Sequence, residues 1–371
     1  MKEASSRMAP KRATRLPAGG DRASLRWSIA RRDLLLALSS LLLLPTRPSA
    51  AQEDIRYFRI GTAATTGTYF QIGGLLANAI SKPPGSRDCD RGGSCGVPGL
   101  VAVAQATQGS LENVQAVDAG RLESALAQSD VAYWAYSAIG LFKGKPPLTK
   151  LRAIASLFPE TVHIVVRADG PITALKDLKG QRVGLGEKES GTIVDARLIL
   201  EAAGIAERQV KGDYRNLGQT AEALAHGELD AFFLFGGYPV PAISELATAT
   251  PIRLIPIAGE IADKLTQRNT FFARDTIPGG TYAGIPDPTS SIGTRALWIV
   301  GAEVAEPLVF DITKALWADA NRRILDQGHP MAKRITLATA LEGLVLPLHP
   351  GAERAYRDLG LKVPEAPGRL N

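Results

Sequence analysis

Four short polar segments carry the residue types that bind a small anion without a lysine or arginine. They are Thr65-Thr-Gly-Thr68, Gln108-Gly-Ser110, Gln128-Ser-Asp130 and Ser190-Gly-Thr192. Each follows a predicted strand and precedes a predicted helix, where unpaired N–H groups and a partial positive charge attract anions. Taken alone, each segment is more typical of an ordinary helix cap. Four of them together favour a site for a small carboxylate.

The elements that would position these segments alternate between strands and helices. Apolar spacing predicts strands at 56–60, 100–106, 124–128, 161–167, 182–186, 231–235 and 294–300, and helices at 69–80, 111–122, 193–203, 220–225 and 305–325. Ser110 is the predicted N-cap of the second helix. This alternation predicts an α/β fold of parallel-rich mixed sheets flanked by helices. Ligands of such sheets bind beyond the carboxyl ends of the strands, so we expect the four loops to converge there.

Residues 1–51 have the pattern of an export signal. Arg31-Arg32 precedes the apolar run Leu34–Leu44, and small residues follow at Ser49–Ala51. The run is shorter than the roughly 20 apolar residues that span a bilayer. The pattern predicts cleavage after Ala51 and a periplasmic location, with export by either the general secretory or the twin-arginine route. An uncleaved N-terminal anchor is the alternative.

The positive charge of the chain lies in this same segment. The formal net charge is +6, but residues 1–51 hold ten Lys and Arg against three Asp and Glu, and the other 320 residues hold 33 against 34. A nucleic-acid-binding protein needs a basic face that follows the phosphates. The body of the chain has no such cluster, so we expect no nucleic-acid partner.

The two cysteines of the chain lie close together, at Cys89 and Cys95, in a glycine-rich segment. In an exported protein this spacing predicts a disulfide. A zinc site usually has four ligands, and the histidines are scattered, so we expect no metal. The four histidines are His163, His226, His329 and His349. His163 lies in the apolar strand at 161–167 and is predicted to be a buried structural residue.

Two short segments match parts of enzyme motifs, but the sequence around each does not fit the motif. Gly184-Leu-Gly186 follows a strand, but Glu189 occupies the third glycine position of a dinucleotide fingerprint. Gly92-Gly-Ser-Cys-Gly96 fits a nucleophile motif, but it lies in the cysteine loop rather than between a strand and a helix. We therefore expect no cofactor and no catalytic site.

Short motifs follow one another in a fixed order over residues 56–360. They include Thr66-Gly-Thr-Tyr69, Gly73-Gly-Leu-Leu-Ala-Asn78, Gln128-Ser-Asp-Val-Ala-Tyr133, Gly227-Glu-Leu-Asp-Ala-Phe-Phe233 and Pro347-Leu-His-Pro-Gly-Ala352. The set resembles the TAXI family, the extracytoplasmic solute receptors of one branch of TRAP transporters. The resemblance implies a monomeric, two-lobed periplasmic binding protein of the type II, Venus-flytrap kind. Such a receptor closes around a small organic acid (a dicarboxylate, a 2-oxo acid or a glutamate-like amino acid). It then delivers its cargo to a membrane permease driven by an ion gradient.

The resemblance also implies lobes and ligand-binding residues. Lobe 1 would comprise 52–166 and 290–371, and lobe 2 would comprise 167–289, with hinge strands at 161–166 and 294–300. The implied ligand-binding residues are Thr66, Gly67, Thr68, Tyr69, Ser110, Asn113, Gln128, Ser129, Ser190, Gly191, Thr192 and Tyr238. No arginine lies in these motifs, although Arg167, Arg215 or Arg253 could reach the cleft after folding.

One departure and three alternatives remain open. Residues 82–99 look like an insertion relative to the family pattern, either a surface loop or an addition to the cleft rim. The same architecture also serves receptors of ATP-driven importers and ligand-sensing subunits of membrane kinases. An exported hydrolase on an α/β scaffold is the remaining alternative, and it would need a nucleophile and a base in the cleft.

Overall fold

The computed structural model describes residues 54–364. Its twelve strands are β1 (Arg56–Gly61), β2 (Ser81–Lys82), β3 (Val97–Pro98), β4 (Leu100–Gln105), β5 (Ser124–Gln128), β6 (Leu151–Arg167), β7 (Arg182–Gly184), β8 (Lys211–Asp213), β9 (Ala231–Gly236), β10 (Ile252–Leu254), β11 (Ala273–Ile277) and β12 (Thr289–Gly301).

Ten α-helices lie in the same range. They are α1 (Thr68–Ile80), α2 (Ser110–Asp118), α3 (Ser129–Ser137), α4 (Gly191–Ala202), α5 (Leu217–Ala225), α6 (Pro241–Ala249), α7 (Gly259–Arg268), α8 (Glu306–Leu316), α9 (Asp319–Gly328) and α10 (Pro350–Asp358). Within 54–364, none of the helices is long and apolar enough to cross a bilayer.

Ten strands form one mixed sheet in the order β4-β1-β5-β12-β6-β9-β7-β8, with β10 beside β6 and β11 beside β12. The groups β4-β1-β5 and β9-β7-β8 are each parallel. The long strands β12 and β6 are antiparallel to each other and join the two groups. The predicted α/β class with mixed sheets is confirmed, and the two parallel groups belong to one continuous sheet.

The two faces of the sheet bury different side chains because successive residues of a strand point in opposite directions. In β5, Ala125 and Ala127 enter a core that contains α2, α3 and α4, whereas Leu126 enters a second core with α1, α8 and α10. A third core lies under α5 and α6. Strands buried on both faces explain why their sequences are almost wholly apolar.

Two local predictions are wrong. The helix expected at 305–325 is two helices, because Asn321 donates hydrogen bonds to the carbonyls of Ala315 and Ala79 and fixes a turn between them. Ser110 is the first helical residue rather than the cap. Its predecessor Gly109 takes the cap position with φ of 119°, a conformation that favours glycine.

The predicted disulfide between Cys89 and Cys95 is present, with the two Cα atoms 4.7 Å apart. Its segment, residues 82–99, contains the short parallel pair β2 and β3 and is largely exposed between them. The predicted export signal at 1–51 lies outside the described residues. The lobe boundaries stay a prediction, and β6 and β12 lie in predicted lobe 1 except for their terminal residues Arg167 and Thr289.

Candidate functional site

A small cavity of about 80 Å³ lies where the loops after β1, β4, β5, β7 and β9 meet. These loops follow the carboxyl ends of both parallel groups, the position where open α/β sheets bind ligands. Its lining comprises Ala63, Ala64, Gly67, Thr68, Tyr69, Gln108, Ser110, Gln128, Glu160, Gly186, Glu187, Ser190, Gly191, Thr192, Arg215, Leu217, Thr220, Phe233, Leu234, Phe235 and Gly236.

Several helices begin at this cavity, including α1, α2 and α4. Gly67, Gly109 and Ser190 are the N-cap residues of α1, α2 and α4. The Ser190 hydroxyl accepts a hydrogen bond from the N–H of Ile193 (3.2 Å) and donates one to the carbonyl of Glu187 (2.7 Å). The first N–H groups of each helix have no partner within the helix. The cavity is therefore bordered by these partially positive helix ends.

Glycine permits the close approach of the two sides of the cavity. A Cβ atom on Gly191 would lie 1.3 Å from Oε1 of Gln128, so the Gln128 side chain would have to move from its hydrogen bond with Asp195. A Cβ on Gly109 would lie 3.4 Å from the Cα of Ser190. The start of α4 thus rests directly on the ends of β4 and β5.

Hydrogen bonds cross between the two sides. The N–H of Glu112 donates to the carbonyl of Glu189 (3.0 Å), and Nε2 of Gln128 donates to Oδ2 of Asp195 (2.6 Å). Further round the cavity, the hydroxyl of Thr68 donates to the carbonyl of Gly237 (2.5 Å). These contacts join residues far apart in sequence across the mouth of the cavity.

The carboxyl group of Glu160 lines the cavity from the middle of β6, where Glu160 is opposite Thr294 of β12. Glu160 is 1% exposed. The hydroxyl of Tyr69 donates a hydrogen bond to its Oε2 (2.6 Å). Burial raises the pKa of Glu160 to about 8, against a smaller opposing effect of the Tyr69 hydrogen bond. Glu160 is therefore mostly a neutral acid at pH 7.

Two more buried carboxyl groups, Asp130 of α3 and Asp195 of α4, lie behind this lining. Burial raises the pKa of both, and the charge of Asp130 raises the pKa of Asp195 further. Two adjacent buried carboxylates cannot both ionise, so Asp195 is the member of the pair that keeps its proton. The charge of Asp130 also raises the pKa of Glu160. The three acids thus form one electrostatic cluster.

The cation at the cavity is already neutralised. Arg215 forms ion pairs with Asp213 (2.8 Å) and Glu228 (3.0 Å). In the same lining, burial and then the charge of Glu112 raise the pKa of Glu187. Acidic groups therefore outweigh basic ones around the cavity, which differs from the anion site that the four loops alone predict.

Eight of the twelve predicted ligand-binding residues line the cavity. Several of them already have structural hydrogen bonds, as when Oγ1 of Thr192 accepts from the N–H of Phe235 (3.2 Å). The eight are Gly67, Thr68, Tyr69, Ser110, Gln128, Ser190, Gly191 and Thr192. Their placement makes them available to a solute without testing whether they contact one.

The other four predicted residues lie outside this lining. Thr66 accepts a hydrogen bond from Ala242 through its carbonyl. The amide of Asn113 is buried and donates to the carbonyls of Thr62 and Leu126 (both 2.7 Å), which ties α2 to β1 and β5. The hydroxyl of Ser129 forms a hydrogen bond with that of Thr294 (2.7 Å). Burial raises the pKa of half-buried Tyr238, and Arg334 close to it acts in the opposite direction.

Glu160, Asp195 and Glu187 are the site residues that sequence reasoning did not assign. The signal for Glu160 was a single acid within an otherwise apolar strand, and the signal for Asp195 was an acid on the buried face of α4. Of the three arginines considered, Arg215 lines the cavity. Arg167 instead pairs with Asp169, and Arg253 donates to a backbone carbonyl.

A second, larger cavity of about 580 Å³ lies beside the crossing strands β6 and β12. Ser129 and Thr294 line it, together with aromatic and basic side chains that include Phe271 and Arg295. Ser129, the first residue of α3, is the one helix start among the described residues of its lining, and its acid, Asp275, is not buried as Glu160 is. We therefore take the smaller cavity as the candidate functional site.

Comparison with known proteins shows the family of the chain. A sequence model of the NMT1-like family matches residues 60–360. The alkanesulfonate-binding protein SsuA of Xanthomonas axonopodis pv. citri, solved with MOPS bound, is 17% identical, covering 82% of this chain and 84% of its own, with a TM-score of 0.43. The periplasmic aliphatic sulphonate-binding protein SsuA of Escherichia coli is 15% identical, covering 82% and 83%, with a TM-score of 0.41. The ligand-binding component of an ABC-type import system of Staphylococcus aureus, with zinc bound, is 12% identical, covering 84% and 94%, with a TM-score of 0.45.

Proposed function

The chain belongs to the NMT1-like family, and we propose that it is an extracytoplasmic receptor that captures a small solute for a membrane importer. The observation that carries this proposal is the cavity at the carboxyl ends of two parallel strand groups, with hydrogen bonds that cross its mouth. A solute held there would contact both sides at once. Binding would then favour the closed arrangement over an open one, because the ligand shifts the equilibrium toward the state that it binds better.

The size and chemistry of the cavity support a small polar cargo. An apolar cavity of about 150 Å³ holds a benzene molecule, and this cavity of about 80 Å³ is smaller. Helix N-termini and several hydroxyls border it, which suits the carboxylate of a small organic acid or amino acid. The proposed activity is binding and delivery rather than catalysis.

We keep two candidates for the importer that receives the cargo. The resemblance of the sequence motifs to TAXI receptors favours a TRAP permease driven by an ion gradient. The receptor of an ATP-driven importer is the second candidate, and the Staphylococcus aureus structure among the comparisons is described as a component of an ABC-type import system. Uptake of labelled cargo by cells distinguishes the two: an ionophore stops the first, and ATP depletion with the ion gradient maintained stops the second.

Thermal unfolding of the purified protein with a panel of solutes tests the binding function. The panel contains dicarboxylates, 2-oxo acids, amino acids and, for the second candidate, alkanesulfonates. A ligand at 100 times its dissociation constant should stabilise the fold by about 2.7 kcal/mol and raise Tm by a few degrees. The protein is first unfolded and refolded to remove any solute that co-purifies. A panel that leaves Tm unchanged throughout would count against a small-solute receptor.

A further inference from the structure

Glu160 is the one acid that lines the cavity and is also almost completely buried, and its position on the crossing strands places it between the two sides. Among residues 54–364, the hydroxyl of Tyr69 donates a hydrogen bond to Oε2 of Glu160. The other carboxyl oxygen keeps its capacity to accept. A buried acid with spare acceptor capacity at a cavity surface is unusual, because most buried polar groups are satisfied by the protein itself.

The charges around Glu160 determine which chemical group of a solute can bind its carboxyl group. Asp130 and Asp195 lie behind the lining, Glu187 lies in it, and Arg215 is paired with two acids. An anionic group placed against Glu160 would face this acidic cluster without a free cation. A protonated amine would instead be attracted to the charge of Asp130 and would favour the ionised form of Glu160. Residues 54–364 contain no group of three acids, histidines or cysteines arranged to hold a metal ion, so an organic cation is the better match.

The helix N-termini at the same cavity favour a negatively charged group instead. The residues at the start of α1 and α4, Thr68 and Gly191, line the same small cavity as Glu160. Their helix N-termini attract a carboxylate. A cavity with positive helix ends and an acidic floor is complementary to a small zwitterion.

We propose that Glu160 accepts a hydrogen bond from a protonated amine of the bound solute, so that the receptor selects an amino acid over the 2-oxo acid of the same carbon skeleton. This inference rests on the proposed function, because it assigns the cargo class of the same cavity. Glu160 ionises when the amine binds: its proton leaves to solvent, and the carboxylate then pairs with the ammonium group. Tyr69 continues to donate to Oε2 in the ionised state, which stabilises the negative charge.

Matched pairs of probes test this proposal by calorimetry. The pairs are L-alanine with pyruvate, L-aspartate with oxaloacetate and L-glutamate with 2-oxoglutarate. We expect the amino acid of at least one pair to bind more than tenfold more tightly than its partner. We expect Glu160→Gln to abolish that preference, weakening the amino acid by at least tenfold and the 2-oxo acid by less than threefold. Glu201→Gln is the control, because it neutralises an exposed acid near the far end of α4, outside the lining, and it should retain the preference.

Proton release gives a second measurement that needs no variant. Titration of the wild-type protein at pH 7 in two buffers of different ionisation enthalpy should show nearly one proton released per amino acid bound. Tight binding of a 2-oxo acid in preference to its amino acid, or amine binding without proton release, would overturn the role of Glu160 and leave the receptor function intact. If no probe of the panel binds, the receptor function itself is contradicted, and this inference with it. If Glu160→Gln does not fold, the proton count decides.

Discussion

At the residue scale, burial rather than ion pairing determines the chemistry of the cavity. Glu160, Asp130 and Asp195 all have raised pKa values, and burial is the largest cause in each case. Surface carboxylates such as Asp230 and Glu207 instead pair with arginines, which lower their pKa. The protein therefore keeps acids with raised pKa values at its centre and acids with lowered ones at its surface.

Replacement of Glu160 should change how stability depends on pH. The pKa of Glu160 is about 8 in the folded protein and near 4.5 when unfolded, so the folded state holds a proton that the unfolded state loses between these values. Its contribution to stability is fully present below pH 4.5 and is lost as pH rises toward 8, by at most about 1.4 kcal/mol per pH unit. Glu160→Gln removes this slope, because an amide does not titrate.

Denaturant unfolding of wild type and Glu160→Gln at pH 5, 6.5 and 8 measures this effect. The free energy of unfolding of wild type, relative to that of the variant, should fall steadily across the series. The histidine in the same strand acts in the opposite direction and is present in both proteins: burial lowers the pKa of His163 to about 4, and unfolding at acid pH charges it. Parallel curves for the two proteins would show that Glu160 is ionised in the folded state.

Sequence reasoning at this scale identified hydroxyl and amide residues and missed the acids. Ser, Thr, Gln and Gly at the starts of helices are visible as local patterns, and seven of the eight predicted residues that line the cavity are of these types. The eighth, Tyr69, came from the family resemblance alone. A buried Glu in a strand carries no local pattern, since its role depends on β12 and on Tyr69 of a distant helix. The prediction that His163 is a buried structural histidine is confirmed, with hydrogen bonds to Thr161 and Tyr282.

At the element scale, the close approach of α4 to β5 depends on a glycine. Gly191→Ala would place a methyl group on Gln128 Oε1, and relief of such overpacking typically costs about 1–3 kcal/mol. Because the contact forms across the cavity mouth, we expect this cost to appear as a loss of solute affinity of about tenfold or more. Calorimetry with the best solute of the panel measures it.

Gly74→Ala is the control for this substitution. Gly74 lies in α1 with open space around the position of a Cβ, and alanine favours a helix over glycine by about 1 kcal/mol. This variant should be as stable as wild type or more so, with unchanged affinity. Equal affinity in Gly191→Ala and Gly74→Ala would mean that the two sides of the cavity do not close on the solute.

The order of the main strands and helices could be predicted because each has a local apolar period and a recognisable end. The short strands β8, β10 and β11 and the helices α6 and α7 were not predicted, since they depend on pairing with β7, β6 and β12 and on the core that they cover. The full length of β6, 17 residues, was also missed. Its first half is also apolar, but Pro159, a residue that is rare inside a strand, separates that half from the predicted part.

At the scale of the whole molecule, two long antiparallel strands connect the two parallel groups. The cavity lies where β6 passes between them, so a relative movement of the groups would open or close it. The surfaces joined by Glu112 and Glu189 and by Gln128 and Asp195 would separate in the open form. Solute binding and closure are therefore one event in this account.

The distance between these surfaces tests closure directly. Spin labels at Gln115→Cys and Lys188→Cys would lie on the two sides of the mouth, on α2 and on the loop before α4. A control pair at Val103→Cys and Gln115→Cys would lie on one side only. With a saturating amount of the solute found by thermal unfolding, the first pair should give one narrow, shorter distance, and the control should not change. A distance distribution for the first pair that is the same with and without bound solute would contradict the account.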